Sequence, residues 1–229
     1  MAVRMQMPAS VSPAMRWCAP FGAFMLMLAV LPYLGLPPLV DLALRLAVPG
    51  LVFLLLARDT IRWKPESPWL SLLTGIAVFG LWIAPDLLVP GWREHWLFQN
   101  ILTGKLESSM PEAALRNPLM IALRVLRAVV VVPLVEEVFW RGWLMRWLIR
   151  PDFENVPLGS YTRQSFWITA ALFAAVHGPY WEVGFLTGAV YNGWMVRTRS
   201  LADMVWAHAV TNACLAAFVL MTNRWEYWL

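Results

Sequence analysis

Charge is scarce in this sequence. Charged residues make up 14% of its 229 positions and hydrophobic residues 60%, against about 25% and about 45–50% in soluble globular chains. A soluble globular enzyme is excluded because it needs a charged surface. A disordered chain is excluded because it cannot carry so many apolar side chains. Cysteine is nearly absent: Cys18 and Cys214 are the two, both in or beside apolar runs. That excludes a disulfide mini-protein and any paired-cysteine zinc spacing. The two read as free thiols packed as small hydrophobes. There is no internal repeat and no low-complexity tract. What is abundant is apolar length, with a mean hydropathy of +0.59, together with 15 Trp and 17 Pro. Trp gathers at membrane interfaces and Pro is tolerated in spanning helices. The fold class expected is all-α, a polytopic transmembrane helical bundle of seven to eight helices.

The net charge of +4 would suggest nucleic acid in a soluble protein. Here the cations sit mostly between apolar runs, so they read as topology signals, with no nucleic-acid partner expected. A bilayer core needs about 20 mainly apolar residues per helix. The runs that supply them are 17–36, 39–57, 69–90, 119–149, 164–177, 181–196 and 201–222. An eighth span would arise if the polar connection 91–117 re-enters. Pro37-Pro38 predicts a turn, Pro133 a kink, and Gly178-Pro179 a helix stop. Asp41 and Arg45 stand at i,i+4 and can pair. Arg4 and Arg16 precede the first run like a signal peptide, but no clean cleavage site follows, so an uncleaved first helix is expected. With the N-terminus inside, ten cations fall in inner segments and four in outer ones, which favours that orientation. The sequence divides into N-terminal membrane helices and connection (1–117), a helical core (118–222) and a C-terminal tail (223–229).

Ionisable groups inside spanning helices are costly and mark function by default. Three places stand out. In Pro133-Leu134-Val135-Glu136-Glu137-Val138-Phe139-Trp140-Arg141, adjacent glutamates point about 100° apart. Glu137 and Arg141 can pair along one face, which leaves Glu136 free. Phe173-Ala174-Ala175-Val176-His177 ends an apolar helix in an imidazole. His208 and Asn212 share a helix face. Glu136 lies 14 residues before Arg150 and His177 lies 14 residues after Arg163. Both therefore sit about 21 Å from one shared end, on antiparallel neighbours, whereas His208 sits only about 10 Å from that side. The bland readings are charge neutralisation for Glu137–Arg141 and interhelical polar glue for His208 and Asn212.

Glu-Glu-x-x-x-Arg, Phe-x-x-x-His and His-x-x-x-Asn on successive apolar helices resemble the CPBP family. That family comprises the CAAX prenyl proteases of the Ras-converting type and bacteriocin-processing or immunity-related membrane proteins. The resemblance implies an intramembrane glutamic endopeptidase. It implies that Glu136 and His177 activate water, that His208 and Asn212 stabilise the oxyanion, and that Glu137 and Arg141 support them. An alternative is zinc held by Glu136, His177 and His208; the main reading has no cofactor. Amide hydrolysis needs a base, an oxyanion stabiliser and an acid for the leaving amine, and these residues supply such groups. Phe173 and Glu182 are expected to line the pocket or its mouth. Tryptophan richness and Tyr191-Asn192-Gly193-Trp194 resemble a CAAX-protease-related branch found beside exosortase and PEP-CTERM sorting systems. The expected setting is a bacterial inner membrane, with lipid and a peptide carrying a C-terminal or leader segment as partners. A transporter lined by the same groups and a non-catalytic partner protein are the competing classes. Arg124 and Arg127, at i,i+3, suit a lipid phosphate, a substrate carboxylate, or acids such as Asp86 and Glu94, unless they serve topology alone.

Overall fold

The computed structural model describes residues 12–112 and 114–228; Arg4 and Leu229, used above for topology and for the tail, lie outside them. Every long element among these residues is a helix. They are α1 (Met15–Val30), α2 (Pro38–Val52), α3 (Pro68–Leu88), α4 (Pro118–Trp147), α5 (Arg163–Ala175), α6 (Trp181–Thr198) and α7 (Leu201–Thr222).

The boundaries follow from local chemistry. Pro38, Pro68 and Pro118 open α2, α3 and α4, where a missing N–H costs nothing and φ is preset. The Asn117 side chain accepts from the N–H groups of Leu119 and Met120. Thr162 and Ser165 form a reciprocal capping box at the start of α5. Ser200 caps α7 through the Asp203 N–H. Arg199 and Asn223 end α6 and α7 in the left-handed region, at φ 53° and 56°.

Five helical stretches are long and apolar enough to cross a bilayer: Met15–Tyr33, Pro38–Thr60, Pro68–Leu88, Pro118–Trp147 and Leu201–Thr222. The protein is an integral membrane protein. The 13-residue α5 spans only about 20 Å and packs along α6. Large apolar side chains such as Leu51, Leu55, Leu73 and Leu126 are exposed, as a lipid-facing surface requires. The connection 91–117 supplies no eighth long helix. It holds the short turns Trp92–Glu94 and Ala114–Arg116.

Helices meet closely where side chains are small, the usual device when lipid supplies no hydrophobic push. A Cβ on Gly75 of α3 would lie 2.4 Å from the Ala207 carbonyl of α7. One on Gly188 of α6 would lie 3.0 Å from the Ala170 Cα of α5. Against α4, α1 packs Phe21, whose ring stacks on Phe139 at 4.4 Å.

Candidate active site

The site begins with the way α4 winds. Pro133 has no N–H, and its ring crowds the carbonyl four residues back. Just before it the helix widens into a π segment, Arg127–Val131, and a second follows at Val138–Leu144. This widening, rather than a break, is how the chain accommodates the expected kink. In the first segment the Val132 N–H goes to the Arg127 carbonyl. The Ala128 carbonyl thereby loses its ordinary donor, and the next N–H in line would belong to Pro133. Asn212 of α7 fills the vacancy, donating from Nδ2 at 2.7 Å.

The wide turn also resets the helix face. In an unbroken α-helix, residues nine apart point to opposite sides. One inserted residue turns the register back by about 100°. Arg124, Arg127, Ala128, Val132 and Glu136 consequently all line one wall of a cavity of about 490 Å³.

His177, His208, Asn212 and Phe173 line the same cavity. Glu136 is 5% exposed and its Oε2 has no hydrogen-bond partner. Glu137, turned away, is fully buried. Its Oε1 accepts from Arg141 Nη1 at 3.1 Å and from His208 Nδ1 at 2.8 Å. Arg141, equally buried, donates from Nε to Asn192 Oδ1 at 3.0 Å and lies over the Phe173 ring at 4.6 Å. Asn192 in turn donates to the Phe166 carbonyl at 2.7 Å. The helices α4, α5, α6 and α7 are thus tied through one guanidinium.

His177 sits just past α5, its ring 4.5 Å from Phe173 and 5.4 Å from Trp82. Its Nδ1 lies 2.6 Å from the Phe173 carbonyl. A carbonyl only accepts, so Nδ1 carries the proton and Nε2 keeps a lone pair. Glu137, already accepting from Arg141, likewise takes the Nδ1 proton of His208. Wherever it matters, His208 can present Nε2–H only as an imidazolium.

Residues 118–214 match the family model for type II CAAX prenyl endopeptidases, Rce1-like. The match covers 97 of the 229 residues. Rce1-like proteins are membrane proteases, CAAX endopeptidases. No curated protein and no solved structure matches the chain. The Rce1-like segment opens on the first residue of α4 and closes two residues past Asn212, so Glu136, His177, His208 and Asn212 all lie within it.

Parts of the sequence reading are corrected. His208 closes the expected depth gap by reaching Glu137, so its tie is to the supporting carboxylate. Glu182 does not line the mouth of the Rce1-like cavity. Arg93 Nη2 pairs with it at 2.7 Å and Trp92 donates to it, which draws it into a separate groove beside Leu81 and Leu186. Asp86 does not partner Arg124 or Arg127; it binds Arg93 at 3.0 Å and the Tyr227 hydroxyl at 2.7 Å. Among the described residues no three His, Cys, Asp or Glu side chains gather as a metal site. His208 has one nitrogen on Glu137, and the Phe173 ring stands beside both imidazoles.

Sequence reading quoted Asn192 only within Tyr191-Asn192-Gly193-Trp194 and passed over its role, which is to fix Arg141. Its signal was available: an amide within an apolar helix is a candidate interhelical tie. It also missed Trp82, Lys105 and Thr211, which reach the cavity from α3, the long connection and α7. No short motif marks these. Residues of the N-terminal portion thus contribute to the cavity wall.

Proposed function

We propose that this membrane protease hydrolyses a peptide bond of a membrane-associated protein or peptide inside the cavity, with Glu136 as the general base. The observation that carries this is the unpartnered Glu136 carboxylate oxygen, which shares a cavity with the Nε2 lone pair of His177. That oxygen has no protein donor and is available to a water.

Glu136 takes one proton from that water while His177 Nε2 holds the other O–H. The water oxygen bonds to the carbonyl carbon, and the carbonyl oxygen becomes anionic. Asn212 has one Nδ2 proton committed to Ala128 and offers the second to the oxyanion. His208, as an imidazolium held by Glu137, offers Nε2–H. Glu136 then passes its proton to the amide nitrogen as the C–N bond breaks, so protons and charge balance.

The reaction proceeds without a resident metal in this reading. The substrate presents a C-terminal or leader segment, the membrane is a bacterial inner membrane, and the N-terminus lies inside. The test is cleavage of a panel of peptides by purified protein in liposomes. Glu136→Ala and Glu136→Gln are expected to lose at least about 10²-fold in kcat, the usual worth of a general base, and EDTA is expected to change nothing. Cleavage unaltered by either substitution would overturn the role of Glu136. Loss in EDTA that zinc restores would overturn the metal-free reading.

A further inference from the structure

Arg127 is 4% exposed and faces the cavity. Its Nε has no hydrogen-bond partner, and no ion pair to it occurs among the described residues. Among the described residues Asp41 is the one acid whose charge acts on it, and both oxygens of Asp41 are held by Arg45. Arg45 and Arg124 add further positive charge around it. A buried guanidinium without an anion is expensive, so the resting site is short of one negative group.

We propose that Arg127 is an anion subsite for the substrate, taking a carboxylate carried by the peptide that Glu136 cleaves. The inference rests on the Glu136 reading above and adds the chemistry of the far end of the substrate. Geometry selects a peptide. The π turn brings Arg127 and Glu136 onto one wall, nine residues apart, or about 13 Å along the helix. An extended peptide rises about 3.3 Å per residue, so the carboxylate lies about four residues from the scissile amide. A planar guanidinium with five donors suits a carboxylate oxygen pair. The carboxylate is either an Asp or Glu side chain or the free terminus of the peptide, and both present the same chemistry.

The test compares twin peptides with wild-type protein in liposomes: Asp against Asn at positions three to five from the cleaved bond, and a free against an amidated C-terminus. One charged twin is expected to show a KM lower by about tenfold or more, the worth of one charge-assisted hydrogen bond. Which pair responds identifies the source of the carboxylate. Arg127→Gln is expected to erase the difference in KM between the twins. Equal KM values for every twin pair with wild-type protein would overturn the proposal, and that comparison needs no variant to fold. Phosphatidylglycerol co-purifying with wild-type protein and lost from Arg127→Gln, with no charge preference among peptides, would overturn it in favour of a lipid. Glu136→Gln separates the two readings. If it cleaves like wild type while the charge preference persists, the base assignment fails and the subsite stands.

Discussion

Asn212 donates to the Ala128 carbonyl at 2.7 Å, and Pro133 is the reason that carbonyl is free to accept. Three features that look independent in the sequence form one joint: a proline in a spanning helix, a wide turn before it, and an amide on a distant helix. The joint sets the angle of Asn212 and, through the register of α4, the direction of Glu136.

Removing the amide tests this. Asn212→Ala leaves the part-buried Ala128 carbonyl without its side-chain donor, a cost of about 1 kcal/mol. It also removes the proposed oxyanion donor, a loss of about 10²–10³ in kcat in that reading. Pro133→Ala returns an N–H near that carbonyl. In the Asn212→Ala background, Pro133→Ala should therefore recover part of the stability and none of the kcat. Unfolding in detergent and single-turnover cleavage measure the two separately. Strict additivity of the stability changes would disprove the joint.

Five of the seven expected spans were legible because a hydrocarbon core imposes length and apolarity on each one, and prolines and glycines mark the ends. The pairing of Glu137 with Arg141, and the turning of Glu136 away from them, were also legible, since both follow from helical spacing alone. Arg127 was not placed: counting residues on an ideal helix puts it opposite Glu136, and only the inserted turn moves it. Glu182 was misplaced for a related reason. Its partner Arg93 comes from a connection with no periodicity to read. The role of Asn192 was passed over because its partners, Arg141 and Phe166, lie 51 and 26 residues away, beyond any spacing rule.

The Glu137–Arg141 pair is fully buried, so breaking it from one side strands a charge. Arg141→Gln or Glu137→Gln should cost about 3–5 kcal/mol, read as a fall in unfolding free energy in detergent. Asn192→Ala should cost less, about 1–3 kcal/mol, because Arg141 keeps Glu137 and loses only one hydrogen bond, while the Phe166 carbonyl loses its side-chain donor. The double variant Glu137→Gln with Arg141→Gln should be more stable than either single one. A double variant as unstable as the sum would show that the pair does not carry the coupling.

The cavity also has a direction. Its walls include Arg124 and Arg127 in the first half of α4, Thr103 and Lys105 from the connection before α4, and Tyr227 and Trp228 after α7. All of these belong to one end of the bundle. If ten cations to four place the N-terminus inside, that end faces outward, and a substrate must enter from the non-cytoplasmic side. In a background with Cys18 and Cys214 replaced by alanine, Lys105→Cys should react with a membrane-impermeant maleimide added to intact cells. Arg58→Cys, in the last helical turn of the Pro38–Thr60 stretch, should react only after the membrane is permeabilised. Both positions are exposed in the structure, so a silent one reports the barrier and not burial. The reverse labelling pattern would invert the orientation and turn the cavity toward the cytoplasm. The chemistry of the site would be unchanged, but the pool of peptides able to reach it would be different.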